Sequence, residues 1–150
     1  MTDVSVTTGT TVGMSAALPT TYDDDAGTGY PSLTFTDIGE IIDMGEIAKA
    51  FNVINHQSVG RAYPQKLKDT YDIANITLTL GRVSSDTGQA LLQTALAASA
   101  SYAFEVVLPS GDTASFTGQV IKAGFGAVAS GNIETTMVDL AIDPETLFEA

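Results

Sequence analysis

The stretch SDTGQALLQTALAASASY, residues 85–102, decides how the chain is read, because its periodicity is helical while its surroundings alternate. Asp86 or Thr87 can cap its N-terminus, since a short side-chain oxygen there accepts a bond from an orphaned backbone N–H. Asp86 and Gln89 have the spacing of a capping box, with Asp in the leading position. Leu91, Leu92, Ala95, Leu96 and Ser99 recur at three-to-four spacing and make a narrow apolar stripe. Gln93, Thr94 and small alanines fill the other face. A helix over about 86–100 follows. Such a helix is weakly stable alone and must lie on a sheet.

The segments on either side supply that sheet. Residues 73–80 alternate, with Ile76, Leu78 and Leu80 inward and Asn75, Thr77 and Thr79 outward. Residues 102–108 put Tyr102, Phe104, Val106 and Leu108 on one face. Pro109-Ser110-Gly111-Asp112 has turn composition, and residues 113–122 return as the hairpin partner. Gly124, Gly126 and Gly131 loosen the next connection, and residues 133–142 form a last strand that Pro144 ends. Upstream, residues 33–35 begin a strand, with Leu33 and Phe35 on one face. DIGEIIDMGEIAKAFNVI, residues 37–54, carries Gly39 and Gly45 among β-branched residues, which predicts two short strands with a bend or bulge between them. Residues 1–31, rich in Thr, Gly and Ala, read as an extended arm with at most a short strand near 4–6. Asp23, Asp24 and Asp25 lack the alternate-oxygen spacing of a calcium loop and read as a solvated loop. NHQSVGRAYPQKLKDTYD, residues 55–72, reads as a long polar loop. Loops of that length inside compact domains are usually functional or disordered. It is either a solvated hairpin tip or a basic docking arm. The fold class is mainly β, a sandwich or barrel-like sheet with one flanking helix.

At 150 residues the chain reads as one domain with room for a real core. No apolar run approaches the ~20 residues of a membrane-spanning helix. The N-terminus lacks the basic residues and apolar segment of a signal peptide. There is no cysteine, hence no disulfide framework and no thiolate metal site. Eighteen acidic residues face six basic ones, net −12, which argues against a grip on phosphates. Only 16% of residues are charged while 44% are apolar, so the surface holds apolar and small polar groups that partners can cover.

Catalytic constellations are not found. His56 stands alone in a polar segment, and a zinc site would need mostly carboxylates. Asp37 with Glu40, and Asp43 with Glu46, leave glycosidase chemistry open by residue type. A glycoside cleft is normally lined with aromatics, and the chain has no Trp. No phosphate-binding loop or nucleophile elbow is present. The expectation is a non-enzyme with no cofactor and no metal.

The order of these features resembles the major tail tube protein of long, non-contractile-tailed bacteriophages. The residues that carry it are the junction Asp86-Thr87-Gly88-Gln89-Ala90-Leu91-Leu92 and the hairpin Tyr102-Ala103-Phe104-Glu105-Val106 to Thr113-Ala114-Ser115-Phe116-Thr117-Gly118-Gln119-Val120. The final strand 136–142, Tyr22 and the segment from Leu33 to Ile41 belong to it too, so it covers roughly residues 22–143. The resemblance implies hexameric rings whose inner sheets join as one β-barrel, which removes exposed sheet edges. Rings would stack into a tube around a tape measure protein, with tail terminator and tail tip proteins at its ends. DNA would pass through without specific binding. The protein would be part of the virion tail, assembled in the host cytoplasm.

On that reading Arg61, Tyr63, Lys66 and Lys68 form the inter-subunit docking loop. Glu40, Asp43, Glu46, Glu105, Glu134 and Asp139, all on expected strands, are candidates for an acidic lumen that repels DNA phosphates. Two alternatives stand beside it. One is a soluble β-sandwich binding module of carbohydrate or adhesion type. The other is a type VI secretion-like tube subunit.

Overall fold

A computed structural model of the chain describes residues 8–126 and 128–149. In chain order these form β1 (Thr11–Ser15), β2 (Thr36–Ile38), β3 (Ile41–Met44), β4 (Lys49–His56), β5 (Gln65–Ile73), β6 (Ile76–Gly81), α1 (Thr87–Ala97), β7 (Tyr102–Val107), β8 (Thr113–Phe125), β9 (Thr135–Ile142) and β10 (Phe148–Glu149). Single 3-10 turns lie at Tyr30–Ser32 and Pro144–Thr146. The mainly β class with one helix is as the alternation predicts.

Eight strands make one antiparallel sheet, ordered β2-β1-β7-β8-β9-β6-β3, with β10 paired to β8. One face of it is apolar by alternation. Val12, Met14, Ile38, Leu78, Leu80, Phe104, Phe116, Val138 and Leu140 share a single buried cluster. Phe104 and Phe116 stack across the β7–β8 pair with ring centroids 5.4 Å apart. The outermost strands, β2 and β3, are joined by Gly39 and Glu40 alone. Such a link spans at most about 11 Å, so the sheet must curl until its two ends meet. Glu40 turns this corner in the left-handed region, at φ 59°.

α1 seals that seam. Asp86 caps it as expected, its Oδ2 accepting from Gln89 N at 3.0 Å and also from Gly39 N at 3.2 Å. The Gln89 side chain does not return to the cap. Its Nε2 donates to Gly39 O (3.2 Å) and Gly81 O (2.8 Å), and its Oε1 accepts from Val83 N (3.0 Å). The helix is shorter than 86–100, and its buried face is Gly88, Gln89, Leu92 and Ala95. Leu96 is exposed and Ser99 lies beyond the helix, so the expected stripe is corrected. Close approach is the cause: a Cβ on Gly88 would press on the Asp37 carbonyl oxygen and sit 2.7 Å from Ile38 Cα. Small residues, not leucines, let the helix reach β2.

Other expectations change as well. The strand near residues 4–6 lies outside the described residues. Residues 11–15, read as arm, are β1, an interior strand between β2 and β7. A lone Val12/Met14 alternation among Thr and Gly is too short a signal to detect. Gly13 is needed there, because a Cβ would come within 2.9 Å of Phe35 Cβ. The strand expected at 33–35 starts at Thr36 instead, after the 3-10 turn. Segment 37–54 holds most of β2, β3 and most of β4, with a register shift between Ile41 and Asp43. The long loop 55–72 is corrected to a connection over 57–64, the rest being strand. Ile73 closes β5 and is separate from β6. The chain beyond Pro144 folds back onto the sheet: Thr146 Oγ1 accepts from Thr117 N at 2.9 Å, and Thr146 O accepts from the buried Tyr30 hydroxyl.

Candidate assembly surface

Among the described residues, β4 and β5 pair only with each other, as a two-stranded sheet apart from the main one. Every β4 residue is exposed, and so is every β5 residue except Ile73. Isolated two-stranded hairpins are marginal in water. Beyond its base at the buried Ile73, this one covers neither face with any other described residue.

The register decides what it displays. Phe51 pairs with Tyr71, Val53 with Lys68 and Ile54 with Leu67, with a shift between Phe51 and Val53. The shift puts an extra residue in β5, which breaks its alternation and turns Lys66 and Lys68 to the Tyr71 face. Phe51 and Tyr71 lie 5.4 Å apart. Lys49 Nζ sits 4.6 Å over Tyr71, and Lys68 Nζ sits 4.9 Å over Phe51. The result is a cationic, aromatic face; Ile54 and Leu67 form an apolar pair on the reverse. At the tip, Gln57 Nε2 donates to Arg61 O (2.7 Å) and Arg61 Nη1 donates to Gln65 Oε1 (2.7 Å). Val59 is fully exposed there and Tyr63 is 65% exposed. Of the sequence-derived docking residues, Lys66 and Lys68 thus share a face, while Arg61 and Tyr63 belong to the tip. Sequence reasoning missed Lys49, Phe51 and Tyr71. The Phe51–Val53 alternation was the available signal, and the shift in β5 concealed its partner.

Charge is divided in the same way. Residues 49–73 hold four basic and two acidic side chains, net +2, whereas the rest of the chain holds two basic and sixteen acidic, net −14. The six candidate lining residues do not gather in one place. Asp43, Glu105 and Asp139 are on strands and face away from the core. Glu40, Glu46 and Glu134 lie off the strands, contrary to expectation. Glu40 and Glu134 sit where β6 ends, with Glu40 O accepting from Gly81 N (2.7 Å) and Glu134 O from Arg82 N (2.9 Å). Asp139 accepts from Thr77 Oγ1 at 2.8 Å and lies opposite Lys122, so a cation shares that face.

Glu105 is in one cross-strand row with Gly13 and Asp37. Burial, and then the Asp37 charge, raise its carboxyl above the usual glutamate value. The raised value means the folded state disfavours the carboxylate. Stability from this site is complete below the unfolded value and is lost as pH rises toward the folded one. Glu105→Gln is therefore expected to raise the melting temperature at pH 7 and to leave it unchanged at pH 3, as differential scanning fluorimetry would read.

A groove of about 360 Å³ opens beside the β8–β9 connection, among Arg82, Phe125, Val128, Ile133 and Glu134. Phe125 is 74% exposed and carries the Arg82 guanidinium 4.4 Å from its ring centre. Gly124, Gly126 and Gly131 predict only a loose link here. Among the described residues no group of three or more His, Asp or Glu could hold a metal ion. Asp23 and Asp25 spend carboxylate oxygens within their own loop, on Thr21 Oγ1 (2.8 Å) and Gly27 N (2.8 Å). His56 ends β4 and is exposed.

No protein-family model matches the chain, and no curated protein matches it in sequence. Solved structures do match its fold. A chain of the anti-feeding prophage baseplate is 10% identical, with 100% of this chain and 97% of that one covered and a TM-score of 0.72. A chain of the sheath/tube terminator of an extracellular contractile injection system, PVC, in its extended state is 10% identical, with 100% and 99% covered and a TM-score of 0.65. A chain of the native gene transfer agent virion is 10% identical, with 93% and 95% covered and a TM-score of 0.62. At these identities the likeness shows the fold, which is tail-tube-like.

Proposed function

We propose that this chain is a structural subunit of a phage-type tail tube and that it assembles with copies of itself through the β4–β5 hairpin. The observation that carries this reading is a hairpin exposed on both faces and opposite in charge to the body that bears it, on a tail-tube-like fold. A partner that covers the hairpin removes its exposed apolar surface from water, and an acidic partner surface complements its lysines. Another copy offers both.

In this reading hexameric rings stack into the tail of a virion assembled in the host cytoplasm. A tape measure protein fills the tube, and terminator and tip proteins close it. The acidic excess keeps passing DNA from sticking. The sequence resemblance favours a long non-contractile tail, and solved neighbours from contractile systems favour a tube subunit of either kind. Microscopy of the parent particle separates the two by a bare or a sheathed tube.

Negative-stain electron microscopy over a concentration series tests the reading. Rings or hollow tubes are expected, and a monomer at every concentration would overturn it. Tubes should also dissolve as ionic strength rises. Lys66→Ala with Lys68→Ala should raise the concentration needed for assembly by about fivefold per lysine at low salt, since an exposed ion pair contributes up to about 1 kcal/mol. Equal tube stability at all salt concentrations would remove the electrostatic part.

A further inference from the structure

The hairpin and the groove lie at opposite ends of one strand. β5 leads into β6 through residues 74–75, so the hairpin leaves the sheet at the Ile76 end. The groove lies at the other end, where Arg82 N donates to Glu134 O and Gly126 N to Thr135 O (3.0 Å). The six residues of β6 separate them by about 20 Å. Each copy therefore has one projecting end and one receiving end.

We infer that the tip of the β4–β5 hairpin docks in the Arg82–Phe125–Ile133 groove of the next copy along the strand axis. This rests on the tube-subunit reading and names its contact. Val59 and Tyr63 supply apolar side chains to walls of Phe125, Val128 and Ile133. Arg61 meets Glu134, and the Tyr63 ring offers the Arg82 guanidinium a second aromatic face. The hairpin at net +2 enters a body at net −14. A contact between two different patches is heterologous. It does not close on itself, so it propagates as a filament, whereas hairpin-to-hairpin contact would stop at a dimer.

The chain has no cysteine, so introduced thiols report only on themselves. Tyr63→Cys protein is mixed with Ile133→Cys protein under assembly conditions and oxidised. The expected result is a disulfide dimer on a non-reducing gel that neither variant makes alone, and a ladder of multimers from the double variant. Phe125→Asp, at an exposed position, should keep the wild-type melting temperature and stop growth beyond rings or monomers. Tubes that form without the mixed disulfide, or a disulfide within one double-variant chain, would overturn the groove contact and leave the tube reading standing. Wild-type protein that never assembles would overturn both.

Discussion

A variant in which residues 50–72 are replaced by Asn-Gly is expected to fold, to stay monomeric and to form no tubes. Lys49 and Ile73 are directly paired at the hairpin base, so a two-residue turn can close between them. The deleted strand residues are all exposed, and Ile73, the buried one, is retained. The main sheet keeps all of its strands, because among the described residues β4 and β5 pair only with each other. The melting temperature should therefore move by only a few degrees. Assembly should suffer far more, since the deletion removes the aromatic pair, the apolar pair and the three basic side chains Arg61, Lys66 and Lys68 together. A rise of at least about 100-fold in critical concentration, about 3 kcal/mol, is the expected scale. Sedimentation velocity and electron microscopy read both halves of the prediction. Tubes of normal length from the deleted protein would refute an assembly role for the hairpin.

Gln89→Ala is expected to destabilise the fold by about 3–5 kcal/mol, because it orphans three backbone groups at the seam of the curled sheet. Gly39 O, Gly81 O and Val83 N all bond this one side chain, which is 8% exposed. Each unsatisfied buried group costs about 1–3 kcal/mol, and water entering the space left by the side chain recovers part of that. For a chain of this size the loss corresponds to about 10 °C or more in melting temperature. Gln93→Ala, on the exposed face of the same helix, should stay within about 0.5 kcal/mol and serves as the control. Gln89→Glu keeps the acceptor for Val83 N but turns a carboxylate toward two carbonyl oxygens. It should be destabilising at pH 7 and less so near pH 4, where the protonated acid can donate. Urea denaturation of the three variants measures the series. An unchanged midpoint for Gln89→Ala would show that the seam holds without its staple.

Both predictions turn on residues whose roles were only partly legible. The Asp86–Gln89 spacing announced a helix start, and Asp86 does cap it. Nothing local announced that the Gln89 side chain would bond Gly39 and Gly81, because those atoms reach it only when β2, β3 and β6 converge. The docking residues Lys66 and Lys68 were recognisable as a basic cluster. Their partnership with Lys49, Phe51 and Tyr71 needed the register of β4 against β5. The groove escaped notice because its walls come from β8, from the link after it and from the end of β6.

The sequence by itself determined what depends on neighbours along the chain: the alternation that made β6, β7, β8 and β9, the helix with its aspartate cap, and the unequal charge of residues 49–73. These are readable because side-chain period and capping act over a few residues. Tertiary structure alone decided what depends on distant segments. It drew residues 11–15 into the middle of the sheet, aimed Gln89 at the seam, turned the expected loop into a hairpin with a cationic aromatic face, and set a receiving groove at the opposite end of β6. Which face of an element is covered, and by what, is settled by packing between parts far apart in sequence, and no local pattern encodes it.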